Sequence, residues 1–583
     1  MTGAVGHAAV DPAGCRSPKG EELSPRFLLG FRRALYRGAG FSRAAVRRPL
    51  VGVASSWGEI NPASRHLGEL TRRVKQGVEA AGATPVEFVL SGLCDGTCAA
   101  TPWINRYNLP WRDIAVAYLE AVATANMFDA MVFVGVCDEV VPAHLMAAVR
   151  LDLPALLLVG GSMPQGCISD PRSGTRPAWA GDMTGAYSDL TSGALTEEQY
   201  LACEDGCCTG AGACGVMGTA NTMQVFAEAC GFALPGNAVA PGESAELEQL
   251  AYRAGGRVVG LLEEDLRPSR ILTQGALENA VRAVVTVGGS TCAVLHAQAV
   301  AAEAGLSLEL DDFDRLSRST PLLVDVQPGG RYSVEAYHQA GGVQATLCAL
   351  APLLDLDVLT VTGLTLRERL AEASAPASAA GGDSVIRSLE KPLQSEGAIA
   401  VLKGSLAPRG AVFKQSASGA RAFRGPARVF ETEEEAGDAV MDGTIAGGEV
   451  IVVRGNGPKG APGMPCLYGS LWLLKSRGLD DRVALVTDGR LSGTIRGLAI
   501  AHVSPEAGEG GPIGIVRDGD LIEIDVAARR LDLLVDPAEM ATRPAWRPAP
   551  SNAPPRGALA QYRALVGPTH EGAILGVSAQ KET

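Results

Sequence analysis

Apolar runs of strand length alternate with helical patterns through residues 25–372 of the chain. Between two of the runs, Leu67, Leu70, Val74 and Val78 fall on one face of a helix. Further helices are predicted at 109–128, 142–151, 219–231, 274–287 and 291–304. The apolar runs themselves are "RPLVGVASSW", "PVEFVLS", "AMVFVGV" and "PALLLVGG". Continuous apolar strands separated by helices predict an α/β domain with a parallel sheet covered on both faces.

The pattern changes after a small, polar stretch, "ASAPASAAGGDSV", which is typical of a linker. Short strands with Gly and Asp turns follow it, among them "EVIVVRGNGP", "RVALVTDGR", "PIGIVRDGDLIEIDV" and "RRLDLLV". We therefore predict a smaller, β-barrel-like C-terminal domain. The predicted segments are a flexible N-terminal segment at 1–24, the α/β domain at 25–372, the linker at 373–394 and the barrel domain at 395–583.

Composition and charge narrow the class of partner. A chain of 583 residues with 46% hydrophobic residues is long enough for a large core and more than one domain. The net charge of -13 gives no basic footprint, so we predict no nucleic-acid partner. No apolar run approaches the roughly 20 residues that cross a bilayer, so we predict no membrane partner.

The expected state of the cysteines, as thiols or as disulfides, depends on the compartment. The N-terminus lacks a charged region followed by an apolar core, so no signal peptide is predicted and we expect a cytoplasmic protein. The 13 cysteines are then expected as buried thiols or metal ligands rather than as a disulfide framework.

Polar clusters follow two of the predicted strands. Cys94, Asp95 and Gly96 come after "PVEFVLS", and Cys137, Asp138 and Glu139 come after "AMVFVGV"; these six residues share the position beyond a strand end. Ligand sites in open parallel sheets collect beyond the carboxyl ends of the strands. The clusters therefore indicate either one shared metal pocket or ordinary loop polarity with buried thiols.

A third cluster combines cysteines with glycines. Its cysteines are Cys203, Cys207, Cys208 and Cys214, and their spacing is not the paired spacing of a structural zinc site. Gly210, Gly212 and Gly215 form a formal dinucleotide fingerprint, but no predicted strand precedes them. We favour a Gly-rich loop that leads into a helix, whose exposed N–H groups suit an anion, including a thiolate or an anionic cluster.

Two further loops lie in the second domain. Residues 455–469, "GNGPKGAPGMPCLYG", are either a connection of several turns or a backbone shaped around a ligand. Residues 487–497, "TDGRLSGTIRG", place Ser492 between turn residues, where an ordinary β-turn serine is the plain interpretation.

Together these motifs resemble the dihydroxy-acid and phosphogluconate dehydratase family, which includes sugar-acid dehydratases. The resemblance runs from about Pro25 to about Arg543. It is carried by stretches such as "VGVASSWGEINP", "GVCDEVVPAHLMAAVRL", "GACGVMGTANTM", "GGSTCAVLH", "GPKGAPGMP" and "VALVTDGRLSG". It implies two domains that close over a site at their junction, and a homodimer.

The resemblance also implies a reaction and its cofactors. A lyase of this kind removes water from a 2,3-dihydroxy acid or a sugar acid, its small hydroxy-acid substrate, and releases a 2-oxo acid. Three cysteines would hold an iron–sulfur cluster, most often of the two-iron type, which acts on the departing 3-hydroxyl. A Mg²⁺ ion would hold the substrate carboxylate and 2-hydroxyl, and a serine alkoxide would remove the C2 proton.

Part of that site is retained in this chain. Cys137 and Cys214 match two cluster cysteines, and Asp95 and Asp138 match magnesium ligands. Ser492 matches the catalytic serine.

Other positions depart from the family pattern. Ala63 stands where the first cluster cysteine is expected, and its methyl group cannot coordinate iron. Glu139 replaces a carboxylated lysine; it is a candidate metal ligand, although its arm is shorter. Cys466 replaces a glutamate with a soft thiolate, whereas magnesium prefers oxygen. Two further replacements are Asn456 and Cys292.

These departures leave two accounts of the site open. Cys466 joins Cys137 and Cys214 as a relocated third thiolate, or the metal site has decayed. We predict a dehydratase-like lyase with a remodelled metal site. The alternatives are a paralogue with different chemistry on a related hydroxy acid and a non-catalytic scaffold or binding homologue.

Overall fold

The computed structural model describes residues 26–100, 102–170, 174–372, 384–417, 419, 422–491, 493, 497–548 and 556–576. The predicted N-terminal segment at 1–24 lies outside the described residues, and so does Ser492.

A four-stranded parallel sheet forms the centre of the first domain. Its strands follow the order β2–β1–β3–β4. Every residue of β3 and β4 is buried, because both strands are continuous apolar runs. The bounds are β1 Leu50–Ser55, β2 Thr84–Val89, β3 Ala130–Gly135 and β4 Ala155–Val159. The predicted α/β architecture is confirmed.

Sixteen helices of the described ranges surround this sheet and complete the domain. They are α1 Arg26–Gly38, α2 Leu67–Ala80, α3 Pro102–Asn105, α4 Asn108–Asn126, α5 Val140–Leu151, α6 Asp182–Thr191, α7 Glu197–Cys207, α8 Thr219–Ala229, α9 Ala245–Glu263, α10 Pro268–Ile271, α11 Gln274–Thr286, α12 Cys292–Glu303, α13 Leu310–Arg318, α14 Val334–Gln339, α15 Gly342–Leu350 and α16 Leu366–Glu372. The helices predicted from periodicity correspond to α2, α4, α5, α8, α11 and α12. A short antiparallel pair, β5 Gly166–Asp170 and β6 Gly174–Ala178, was not anticipated.

Helices α2 and α9 touch through their backbones. A Cβ atom added to Gly255 in α9 would lie 2.0 Å from the carbonyl oxygen of Val74 in α2. A Cβ atom added to Gly77 in α2 would lie 2.0 Å from the carbonyl oxygen of Tyr252 in α9. Both glycines are therefore required by close packing, and this contact holds α2 against the sheet.

The second domain is built on an eight-stranded mixed sheet in the order β16–β15–β9–β10–β12–β14–β8–β7. Strands β9, β10, β12 and β14 run parallel, and the outer strands pair antiparallel. Lys403 bridges to Arg530, which brings the two edges of the sheet together. The strands are β7 Ile399–Leu402, β8 Gly410–Lys414, β9 Ala422–Phe430, β10 Val450–Val453, β11 Cys466–Leu467, β12 Ala484–Thr487, β13 Arg490–Leu491, β14 Leu498–Ser504, β15 Leu521–Asp525 and β16 Arg530–Leu533. The nearly closed sheet confirms the predicted barrel-like architecture.

Helices also occur in this domain, and the strand pattern did not predict them. They are α17 Glu433–Met441, α18 Gly469–Ser476, α19 Pro537–Thr542 and α20 Ala558–Leu565. Ile451 and Val453 of β10 face a core shared with α17 and α18, whereas Val450 and Val452 face the interior of the sheet. Crossover helices accompany the parallel strands because parallel neighbours need long connections.

One predicted strand is only partly correct. In the stretch "PIGIVRDGDLIEIDV", the first four residues, 512–515, form a 3-10 helix, and only Leu521–Asp525 form a strand. The described half of the predicted linker begins at residue 384, and Ile386 and Gln394 pair with Val324 and Leu322 of the first domain. The bounds proposed for the four segments stay predictions.

Membrane insertion was tested on the helices. Within the described ranges, no helix combines the length and the apolar character that a bilayer crossing needs.

The glycine contact between α2 and α9 gives a test of the first domain. We expect Gly255→Ala to lower the free energy of unfolding by about 3 kcal/mol, because the methyl group forces the helices apart. Gly256→Ala is the matched control, since a Cβ there meets nothing within 4 Å; it should be neutral or stabilising by about 1 kcal/mol. Denaturant unfolding measures both, and equal effects would show that α2 and α9 are not in backbone contact.

Candidate active site at the domain junction

The two Cys-Asp clusters meet at the carboxyl edge of the first sheet. Cys94 and Asp95 follow β2, and Cys137 and Asp138 follow β3. The Cys94 and Cys137 thiols hydrogen-bond each other. This bond, with donation from nearby backbone N–H groups, lowers the pKa of Cys94 to about 7. The structure thus brings the two clusters together, and a metal site formed by them stays a prediction.

The turn between β3 and α5 is tight at Cys137. Its φ of 100° lies in the left-handed region, where a non-glycine residue costs on the order of 1–3 kcal/mol. Such backbone strain is concentrated at ligand sites. The turn brings Cys137 to Cys94 and leaves Glu139 immediately before α5.

Cys214 reaches the same region from the Gly-rich loop before α8. Gly212, at φ 123°, sits so close to Ser162 that an added Cβ would lie 2.6 Å from the Ser162 carbonyl carbon. Asn221 donates to the Cys214 carbonyl oxygen at 2.6 Å and fixes the loop. Helix α7, rather than a strand, precedes these glycines, so the dinucleotide fingerprint is incidental.

We call Cys94, Cys137 and Cys214 the three-thiol group. Burial, the neighbouring Cys94 and the neighbouring Asp138 raise the pKa of Cys214 well above its usual range. The hydrogen bond to Cys94, burial and the charge of Cys94 do the same for Cys137. Three thiol sulfur atoms are thus grouped at one place.

Glu139 lies between Arg490 and His296 inside the protein. Its Oε1 lies 2.5 Å from Arg490 Nη1, and its Oε2 lies 3.1 Å from His296 Nε2. All three side chains have no solvent exposure. Burial alone would raise the pKa of Glu139, but the charges of Arg490 and His296 lower it to about 2. Glu139 is therefore an ionised carboxylate whose Oε1 is bonded to Arg490, whereas its Oε2 has no hydrogen-bond partner among the described residues.

Arg490 connects the two domains. It lies in β13, and its Nε donates to the Met464 carbonyl oxygen at 2.8 Å. Its Nη2 lies 3.6 Å from Asp95 Oδ1. The side chain of Asn108 also donates to Asp95. We call Glu139, Arg490, His296 and Asp95 the charge centre.

Arg112 extends the charge centre towards the end of the chain. Its Nη1 lies 3.4 Å from His296 Nδ1, and its Nη2 lies 3.1 Å from Asp113. The same guanidinium donates to the carbonyl oxygens of Gly572 and Ala573. This fully buried arginine thus attaches residues near the C-terminus to the site.

Sequence reasoning missed Arg490, His296 and Arg112. Arg490 and His296 fall inside the quoted stretches "VALVTDGRLSG" and "GGSTCAVLH". The signal was indirect: several buried acids in one pocket require cations, because an unpaired buried charge is costly.

Cys466 has a different thiol neighbour. Its thiol hydrogen-bonds Cys292, the first residue of α12, and Cys292 also hydrogen-bonds His502. These bonds lower the pKa of Cys292 well below its usual range, and donation raises that of Cys466. The Cys466 backbone N–H donates to Asn105 Oδ1 at 2.7 Å. In β11, Cys466 pairs with Arg490, so it lies beside the charge centre.

The loop of Ser492 is held from both sides. The Leu491 carbonyl oxygen accepts hydrogen bonds from Thr291 Oγ1 at 3.1 Å and from Cys292 Sγ at 3.3 Å. The buried Lys414 donates to the Gly493 carbonyl oxygen at 2.6 Å. Ser492 itself is outside the described residues, so its role stays a prediction.

Two buried carboxylates organise the Gly- and Pro-rich loop. Asp488 accepts hydrogen bonds from the loop's backbone N–H groups at Gly455 and Asn456. Glu506 accepts hydrogen bonds from those at Lys459 and Gly460. Burial raises the pKa of Asp488 to about 6 and that of Glu506 to about 8. Internal hydrogen bonds therefore fix this loop, and a role in ligand binding stays a prediction.

Comparison with known proteins decides the family. The N-terminal dihydroxy-acid/6-phosphogluconate dehydratase model matches residues 48–369, and its C-terminal counterpart matches residues 384–573. The chain belongs to this dehydratase family. The relatives include a dihydroxy-acid dehydratase of Solidesulfovibrio magneticus, 43% identical over 94% of this chain and 97% of the relative. That of Pyrococcus abyssi is 41% identical over 95% and 98%, and that of Oleidesulfovibrio alaskensis is 45% identical over 88% and 91%.

The magnesium ion that the resemblance implies does not fit the donors present. The Glu139 carboxylate is already paired with Arg490 through Oε1, and Cys466 offers sulfur where magnesium prefers oxygen. Only Asp95 and Asp138 remain as hard donors among the predicted ligands, and Asp95 already faces Arg490. In the part of the chain that the structure describes, no three His, Cys, Asp or Glu side chains are arranged to hold a metal ion.

The iron–sulfur cluster fits better, on the chemistry of its donors. The three-thiol group supplies three soft sulfur ligands, the kind that such clusters require. The thiolates that hold a cluster bind different iron atoms of it, so the three sulfur atoms need not converge on the position of a single ion.

The charge centre gives a test of the junction. We expect Glu139→Gln to lower the free energy of unfolding by roughly 3–5 kcal/mol, because it leaves Arg490 and His296 without their shared counter-charge. Glu69→Gln, in an exposed pair with Arg72, is the control and should cost less than about 1 kcal/mol. Similar losses in the two variants, measured by denaturant unfolding, would contradict the buried pair.

The pH dependence of that difference tests the same pair. The pKa of Glu139 falls from 4.5 to about 2 on folding, so its contribution is complete above pH 4.5 and is lost as the pH falls towards 2. The stability gap between wild type and Glu139→Gln should stay constant from neutral pH to about pH 5 and then shrink. A gap that grows on acidification would show the opposite sign of the shift.

Proposed function

We propose that this protein is a dehydratase that removes water from a 2,3-dihydroxy acid or a sugar acid and releases a 2-oxo acid, at a remodelled metal site. The observation that carries the proposal is the match of both halves of the chain to the family, at 48–369 and 384–573. The buried charge centre at the junction of those two parts supports it, because a small charged acid needs such a pocket.

Ser492 is the proposed base. The buried Lys414 holds the residue after Ser492, and Arg490 is two residues before it. Positive charge on either side lowers the cost of an ionised serine hydroxyl. The Ser492 alkoxide takes the proton from C2 and becomes a hydroxyl.

The elimination then balances within the substrate. The C2–H and C3–O bonds break and a C2–C3 double bond forms. The Ser492 hydroxyl passes its proton to the departing hydroxide, so water leaves and the alkoxide is restored. The resulting enol gains a proton at C3 and loses one from its oxygen to give the 2-oxo acid. When bound, an iron–sulfur cluster supplies a Lewis-acidic iron for the departing hydroxyl.

In this proposal, Arg490 supplies the positive charge at the substrate that the resemblance assigns to a divalent ion. Its Nη2 has no hydrogen-bond partner among the described residues, although the side chain is fully buried. A buried donor without a partner is costly, and a bound ligand relieves the cost. We propose that Nη2 donates to the carboxylate or 2-hydroxyl of the substrate.

The replacements favour one alternative over the others. Cys292 and Cys466 place two thiols beside the charge centre, where the resemblance implies an amide and a carboxylate. That change of lining suits a paralogue acting on a related hydroxy acid.

We also propose a cytoplasmic homodimer. Phe31 and Leu35 of α1 are 65% and 61% exposed, and exposed apolar side chains on one helix suit a subunit contact. The net charge of -13 makes nucleic acid an unsuitable partner.

The function is tested with a panel of 2,3-dihydroxy acids and sugar acids. Protein purified without oxygen should release a 2-oxo acid from at least one of them, detected as its hydrazone. Ser492→Ala should lower kcat/KM by about 10³-fold or more, since the base is lost. Ser476→Ala, at an exposed serine of α18, is the control and should keep full activity. No 2-oxo acid from the entire panel, or full activity of Ser492→Ala, would contradict the proposal.

A further inference from the structure

The loop that lacks the expected cluster cysteine contacts two of the thiol loops. Asn61 Nδ2 donates to the Gly92 carbonyl oxygen at 3.0 Å. The Gly212 backbone N–H donates to the Pro62 carbonyl oxygen at 3.4 Å. Ala63, the residue after Pro62, is only 4% exposed. A sulfur that replaces the missing one must therefore come from a segment that borders this loop.

Cys94 is in such a segment, two residues after Gly92. Its thiol hydrogen-bonds Cys137 and interacts electrostatically with Cys214. It is thus linked to both cysteines that match the family's cluster ligands.

The backbone around Cys94 is also arranged for a negatively charged sulfur. The N–H groups of Gly96 and Thr97 donate to its sulfur atom. Hydrogen bonds to cysteine sulfur stabilise and tune iron–sulfur clusters. The buried methyl group of Ala63 can neither bind iron nor accept these hydrogen bonds.

Two other cysteines are less well placed. Cys466 hydrogen-bonds Cys292 and pairs with Arg490 across β11 and β13, which puts it beside the charge centre. Cys208 interacts electrostatically with Cys94 and Cys214, but it is exposed where α7 ends.

We propose that Cys94 is the third cysteine ligand of an iron–sulfur cluster that Cys137 and Cys214 also hold, in place of the family's ligand at position 63. This inference rests on the proposed function, because the family membership is what calls for a cluster. Its test reads metal content, which is independent of turnover.

The test compares variants after anaerobic reconstitution with ferrous iron and sulfide. Iron and acid-labile sulfide per chain are measured, together with the visible absorption spectrum. Wild type, Cys466→Ser and Cys208→Ser should hold the same amount of cluster. Cys94→Ser should hold at least about tenfold less cluster than wild type, because one thiolate ligand is lost.

A rescue variant separates ligand loss from misfolding. Ala63→Cys combined with Cys94→Ser returns a thiol to the neighbouring loop, and we expect it to restore iron and sulfide towards the wild-type level. Circular dichroism confirms that each variant is folded. If Cys94→Ser misfolds, recovery of both fold and cluster in the double variant supports the proposal, and cluster loss in it overturns the proposal.

Other outcomes also decide between the claims. A folded Cys94→Ser that keeps its cluster, or loss of the cluster in Cys466→Ser or Cys208→Ser, overturns the assignment. Wild type without iron and sulfide overturns it too, even if a 2-oxo acid is formed. A cluster on Cys94 in a protein that dehydrates nothing leaves the assignment intact and rejects the proposed function.

Discussion

The ion pair between Glu139 and Arg490 is the interaction on which the site depends. It joins the loop after β3 in the first domain to β13 in the second, with no solvent contact at either side chain. Two charges removed from water are costly unless each finds close partners, and here His296 and Asp95 complete the set. The position of the second domain against the first sheet is therefore coupled to the charge balance of this one group.

That charge balance also bears on the positions that depart from the family pattern. The resemblance calls for a divalent ion among carboxylates, and Arg490 instead faces both Glu139 and Asp95. The thiols of Cys94 and Cys137 pair with each other, and Cys466 pairs with Cys292 beside the charge centre.

The sequence predicted the elements whose signal is local. Continuous apolar runs gave β3 and β4, and the placement of Cys137 directly after β3 put it in a ligand-binding position. Helices α17 and α18 were missed, because they are short and lie among strands. The role of Arg490 was also missed: its partner Glu139 is 351 positions away, and no local pattern encodes a buried ion pair across two domains. Cys94 was noted for its position, but only the folded loops show that it contacts Cys137.

The central proposal is that the pairing of Glu139 with Arg490 leaves no site for a divalent ion at the carboxylates. Binding of Mn²⁺, a magnesium surrogate with a paramagnetic signal, tests it most directly. Titration of the reconstituted protein should show no saturable stoichiometric site, because Glu139 is paired with Arg490 and Cys466 is a poor ligand for this ion. Asp138→Asn should therefore leave the titration unchanged. One tightly bound Mn²⁺ per chain that Asp138→Asn abolishes would contradict the account.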